Sequence, residues 1–242
     1  MKKLLLFPLV VILLLALATP VYASVELEAK IGEEIDVTMK FGKLNSTVYG
    51  LIKDEIENNE TKILDTIRNN LEARNLTNVE YLWKPVYFND TENSITVSFS
   101  LSGSDILNLT FSTDTMRQRF HVRTDWRKFE LNLTDDFLLD FTEYFGRSLS
   151  DWNFEDEPYL AYYYNYTGTV PFDPICYFIL PREATEVHIA DDMETIVFEL
   201  PPSLGESLLN SPFLILGAII VAIIVSSLYR GVRKREEQGS ES

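Results

Sequence analysis

The chain has 242 residues, 21 lysines and arginines against 37 aspartates and glutamates, a formal net charge of −16 and one cysteine. Its 46% hydrophobic content excludes an intrinsically disordered chain, and its negative charge disfavours sequence-independent nucleic-acid binding, because phosphates would be repelled. A single cysteine excludes an intramolecular disulfide and any structural zinc site that needs two or more thiolates.

The N-terminus carries Lys2 and Lys3, then an apolar run of 15 residues from Leu4 to Ala18, then Thr19-Pro20-Val21-Tyr22-Ala23. The run is shorter than the ~20 residues of a spanning helix, and Pro20 would end a helix there. Val21 and Ala23 are small enough for the −3 and −1 positions of a signal peptidase site. Residues 1–23 therefore read as a cleaved secretory signal, with an uncleaved anchor as the alternative.

Strand patterning begins at once. Val25, Leu27, Ala29 and Ile31 alternate with charged residues, as do Ile35, Val37, Met39 and Phe41 with polar ones, and Gly32-Glu33-Glu34 lies between. This predicts an antiparallel hairpin with one buried face. The period then changes. Val48, Ile52, Ile56, Ile63, Ile67 and Leu71 fall on one side of a helical wheel. One long helix or two short ones are expected over residues 46–74, with Asn58-Asn59-Glu60 as the candidate break.

Residues 79–88 are aromatic and β-rich, but Pro85 demotes them to an edge or bulged strand. Further strands are predicted around Ile95–Leu101, Leu107–Phe111, Met116–Val122 and Phe129–Leu133. Thr134-Asp135-Asp136 looks like a helix start. A short helix over residues 135–145 would bury Phe137, Leu138, Phe141, Tyr144 and Phe145 and end at Gly146. Three last strands are expected at 175–180, 186–190 and 195–200. The fold class is thus α+β, mostly antiparallel sheet, with residues 24–210 as one domain or two that divide near 146–158.

A second apolar run, Phe213 to Tyr229, has no charge. With Ser211 and Pro212 it is long enough to cross a bilayer. Arg230, Arg233, Lys234 and Arg235 follow it, which places residues 230–242 in the cytoplasm by the positive-inside rule. A single C-terminal transmembrane helix over residues 211–229 is expected, in a type I chain of the cell membrane with its N-terminal domain outside. Ala218, Ala222 and Ser226 recur at every fourth position, a face that suits a homodimer or a partner helix as well as a lone anchor. Setting aside the signal and tail leaves 15 bases and 34 acids, a charge of −19, on the outer segment.

Asn-x-Ser/Thr occurs at Asn45, Asn59, Asn75, Asn89, Asn108, Asn132 and Asn165, all in the outer segment and none with proline at x. Seven such positions in one translocated segment make them glycosylation candidates where the host has the machinery.

Two clusters stand out as candidate contact sites. Arg117, Arg119, His121 and Arg123 share one face of a strand, and Arg127 and Lys128 follow. They fit an anion-binding stripe for a glycan, lipid headgroup or acidic protein. They also fit a row of bases paired with acids on neighbouring strands, the commoner arrangement. Trp152, Tyr159, Tyr162, Tyr163, Tyr164 and Tyr166 form an aromatic cluster that suits sugar or protein contact, or a partly buried strand.

No catalytic residue, cofactor or metal site is assigned. Asp151 to Glu157 resembles a calcium loop only in its first, third and fifth positions, and Asp156 stands where a glycine is required. Gly146-Arg147-Ser148-Leu149-Ser150 fails the nucleophile-elbow pattern at its last residue. Cys176 sits in an apolar strand and reads as a buried thiol. The leading expectation is a surface binding or scaffold module, or an accessory subunit of a membrane complex, with a protein or glycan partner outside. A membrane-tethered hydrolase using acidic residues and a receptor signalling through a partner helix are the alternatives.

Overall fold

The computed structural model describes residues 23–201, apart from residues 60, 116, 135, 136, 169 and 171. The expected signal segment, residues 1–23, lies outside the described residues except for Ala23, which begins the first strand, and the expected transmembrane helix over residues 211–229, with Ala218, Ala222 and Ser226, lies outside them too. Among the described residues no helix is long and apolar enough to cross a membrane. Contacts divide the chain into two units, residues 1–110 with 119–199, and residues 111–118 with 200–242. The first unit holds the helices and nearly all of the sheet.

The chain is a mixed α+β fold, mostly sheet. Its largest layer has eight strands: β1 (Ala23–Ile31), β2 (Ile35–Gly42), β3 (Glu80–Trp83), β4 (Tyr87–Asn89), β5 (Ser94–Ser102), β10 (Asn153–Glu155), β11 (Ala161–Asn165) and β12 (Phe172–Ile179). Their order is β10-β11-β12-β1-β2-β5-β3, with β4 also on β5. Period-2 alternation explains the pairing. Leu27 sits opposite Met39, and Met39 opposite Val97, so apolar side chains line up across three strands. All are fully buried. The predicted β1–β2 hairpin is present with its Gly32–Glu34 link. The parallel pair β1–β12 joins residues about 150 apart in sequence, which local patterning does not signal.

Pro85 acts as its chemistry requires. The Lys84 N–H donates to the Ser98 carbonyl. Proline then has no N–H to offer, and pairing with β5 resumes only at Tyr87. The edge of the sheet is therefore two short strands.

Helices α1 (Ser46–Asn58) and α2 (Lys62–Ala73) bear out the two-helix alternative over residues 46–74. Asn45 caps α1 by accepting from the Val48 N–H at 2.8 Å. Tyr49, Ile52 and Ile56 are the buried stripe of α1, and Ile63, Ile67 and Leu71 that of α2. Both helices pack against β8 (Glu130–Thr134), and α1 also against β5.

The helix expected over residues 135–145 needs correction. Its first half is strand β9 (Phe137–Asp140), paired antiparallel to β8 with Leu131 opposite Leu139. Only Phe141–Phe145 is helical, as α3. Asp140, not Thr134, is its cap, accepting from the Glu143 N–H at 2.8 Å. Leu138 is exposed, while Phe141, Tyr144 and Phe145 are buried as expected. Gly146 ends α3, where an added Cβ would lie 2.1 Å from the Thr142 carbonyl oxygen.

A four-stranded sheet is ordered β13 (Thr185–Ile189), β14 (Thr195–Leu200), β7 (Arg117–Arg123), β6 (Leu107–Ser112). Phe120 stacks on Phe198 with ring centres 5.0 Å apart. After β7, a 3-10 turn over Asp125–Arg127 drives Trp126 edge-on into Phe178 of β12, at 5.9 Å. That contact ties β7 to the eight-stranded sheet.

Candidate functional site

Four of the six basic residues, Arg119, Arg123, Arg127 and Lys128, are bonded to acids. Arg119 donates through Nε and Nη2 to Oε1 of the buried Glu199, at 3.0 and 2.6 Å. Arg123 pairs with both carboxylate oxygens of Asp125, each at 2.9 Å. Such forked pairs carry direction as well as charge. Arg117 is half-buried and is also partnered. His121 places Nε2 3.3 Å from the Thr110 hydroxyl. Burial, then Arg119 and His188, hold its pKa below the ordinary value.

Arg127 and Lys128 leave the stripe altogether. Arg127 is 0% exposed. It donates to the Phe145 and Arg147 carbonyls, each at 2.8 Å, to the Thr124 hydroxyl at 2.6 Å and to Glu194 at 2.9 Å. Its guanidinium also lies 5.1 Å from the Trp152 ring centre. Burial lowers its pKa, and Glu194 acts against that. Lys128 bonds the other oxygen of Glu194. These two bases join β7, α3 and the β13–β14 turn from inside.

A cleft of about 340 Å³ opens beside β7, lined by Asp105, His121, Arg123, Asp125, Asp192 and Glu194 among others. Its carboxylates are already engaged. Asp105 accepts the Thr77 and Asn78 N–H groups at 2.9 and 2.8 Å. Asp192 accepts the Glu194 and Thr195 N–H groups and the Thr195 hydroxyl. The Asn78 and Thr77 bonds hold Asp105 below the usual carboxylate range. Burial of Asp192 acts upward, and its bonds from Thr195 and Glu194 outweigh it downward. Asp36, bonded by Lys84 and Ser100, and Asp90, bonded by Lys53 and Tyr49, are lowered too. A general acid in a hydrolase needs a raised carboxyl. The shifts of Asp36, Asp90, Asp105 and Asp192 run the other way.

The aromatic cluster is divided by strand alternation. Tyr162 and Tyr164 of β11 face the core side, opposite Phe178 and Cys176. Trp152 is buried and lies 5.4 Å from Phe178 and 5.6 Å from Tyr164. Tyr163 takes the opposite face and stacks on Tyr177 at 5.9 Å. Tyr166 bonds Glu143 at 2.8 Å, and Tyr159 is exposed in the β10–β11 connection. The six side chains do not share one surface.

Cys176 is buried and free, and burial pushes its thiol well above the ordinary range, which leaves little reactive thiolate. Among the described residues no cluster of histidine, cysteine and carboxylate has metal-binding geometry.

The seven sequons all lie at accessible places. Asn45, Asn59, Asn75, Asn108, Asn132 and Asn165 are exposed, and Asn89 is half-buried. Asn45 and Asn59 are the two caps of α1, Asn75 follows α2 with φ of 62°, and Asn89 ends β4.

One further feature was not legible from sequence. A groove of about 380 Å³ runs between α1 and the β3–β4 edge, lined by Ile56, Glu57, Trp83, Pro85, Val86 and Phe88. Its signal was an aromatic-rich stretch that proline keeps at a sheet edge. Comparison with protein-family profiles, curated proteins and solved structures finds no match for this chain.

Proposed function

We propose that the chain is a membrane-anchored surface glycoprotein whose acidic α+β domain is a binding or scaffold module, serving as an accessory subunit of a membrane complex. One observation carries this reading: the asparagine of every sequon is accessible, six exposed and Asn89 half-buried. A translocated domain that bears sugars needs that arrangement. The signal-like and spanning segments of the sequence supply the anchor and orientation. Asp36, Asp90, Asp105 and Asp192, lowered and engaged in hydrogen bonds, are not poised as general acids, which supports binding over hydrolysis at these positions.

The test is expression of the full chain in a host with N-glycosylation, followed by digestion with a peptide-N-glycosidase. The reading predicts a ladder of sugar-bearing forms that collapses to one band. Each Asn→Gln substitution should remove one rung. A chain that reaches the membrane of such a host with no glycosidase-sensitive mass would overturn it.

A further inference from the structure

We propose that the groove between α1 and the β3–β4 edge receives an extended segment of a partner protein, apolar at its centre and flanked by lysine or arginine. The inference rests on the binding-module reading and names where and what the module binds. In the order of the eight-stranded sheet β3 is terminal, so among the described residues its outer backbone has no strand to pair with. An open edge is a template for strand addition. Trp83, Val86 and Phe88 are only half-buried on the helix side, and Trp83 stacks on Phe99 of β5 at 6.0 Å. On the opposite face Leu82 and Tyr87 are 59% and 64% exposed. An added strand would thus meet apolar side chains on both of its faces, and such concentrations of exposed apolar surface mark contact sites.

Charge selects the partner. Glu57 lines the groove and Glu80 opens the edge strand, and neither carboxylate has an ion pair among the described residues. The bases of this region are already paired: Lys53 with Asp90 and Lys84 with Asp36, each at 2.8 Å, and Arg68, over the Tyr81 ring of β3, with Asp65 at 3.6 Å. The rim is therefore acidic, and it calls for basic flanks. A second copy docking through the same face would set Glu57 and Glu80 against their own counterparts. Pro85 limits the added ladder to short stretches beside β3 and β4. Sequons Asn59 and Asn89 lie two residues and one residue beyond the lining residues Glu57 and Phe88, which favours a slender segment over a broad surface.

The test places a photoreactive phenylalanine analogue at Tyr87 in the full chain, irradiates native membranes and sequences the crosslinked peptide. The expected adduct is a segment of another protein with an apolar centre and basic flanks. Its yield should fall ~5-fold or more in Glu57→Lys and in about 1 M salt, where charges are screened beyond roughly 3 Å. The same analogue at Tyr159, exposed elsewhere, should not form this adduct. No adduct, an adduct with lipid or with another copy of this chain, or a yield indifferent to Glu57→Lys and salt would overturn the proposal. A glycosidase-sensitive chain without the adduct overturns the groove alone and leaves the surface-glycoprotein reading standing.

Discussion

Arg127 shows how one side chain can serve as framework where its sequence context suggests a ligand contact. Its guanidinium satisfies the Phe145 and Arg147 carbonyls at the end of α3 and one oxygen of Glu194, and the arginine itself has no solvent exposure. Without it those two carbonyls and one Glu194 oxygen lose their donor, while Glu194 keeps Lys128 and is 23% exposed; a buried group left unsatisfied costs about 1–3 kcal/mol. Arg127→Met should therefore lower folding stability by about that amount in urea unfolding. Arg127→Lys should recover little, since an ammonium cannot span two carbonyls and a carboxylate at once. His121 sets a pH dependence. Its folded pKa lies below the unfolded value of 6.5, so the unfolded chain binds the extra proton. Its contribution to stability is present above pH 6.5 and is lost as pH falls toward the folded value. The lowered carboxylates Asp36, Asp105 and Asp192 act in the same direction at lower pH. Their contribution is present above the ordinary aspartate value of 3.8 and disappears as pH falls through the folded values. Thermal melts from acid to neutral pH should show stability rising with pH in two steps. His121→Gln should flatten only the upper one.

At the scale of elements, Asn45 joins two roles that substitution can separate. Its side-chain oxygen caps α1, while its sequon offers the amide nitrogen to a sugar. Asn45→Asp should keep the cap and lose one glycan, leaving stability nearly unchanged in the unglycosylated protein. Asn45→Ala should lose both, with about 1 kcal/mol of stability. Denaturation of the two variants made without sugars reads the cap, and gel mobility of the glycosylated forms reads the glycan. The elements also show where sequence patterning succeeds. The hairpin β1–β2 was legible because four apolar residues in each strand fall at alternate positions without exception. Residues 137–145 misled because Phe137, Leu138, Phe141, Tyr144 and Phe145 repeat at helical spacing, while the pairing of Leu139 with Leu131 is a tertiary choice. The β7 stripe was legible as a row of bases. Its partner Glu199 lies 80 residues beyond Arg119, and no local pattern points to it. The groove beside β3 depends on where the helical layer stops, a property of packing that periodicity does not contain.

At the scale of the whole molecule, the proposed topology joins an acidic domain, seven accessible sequons and two apolar terminal segments. The net charge of −16 understates the acidity of the outer segment, because basic residues gather in the two segments assigned to the signal and the cytoplasmic tail. Mutual repulsion between such domains favours dispersed copies over self-association, in keeping with the partner chemistry inferred for the groove. The lone cysteine makes topology directly measurable, since Cys176 is buried and its thiol is pushed up. Ser104 is exposed in the outer segment, and Ser240 belongs to the tail. Intact cells carrying either Ser104→Cys or Ser240→Cys can be treated with a membrane-impermeant maleimide. A type I anchor predicts that the cysteine at 104 labels at once and the cysteine at 240 labels only after permeabilisation. Equal labelling of both in intact cells, or labelling at 104 that requires permeabilisation, would contradict it.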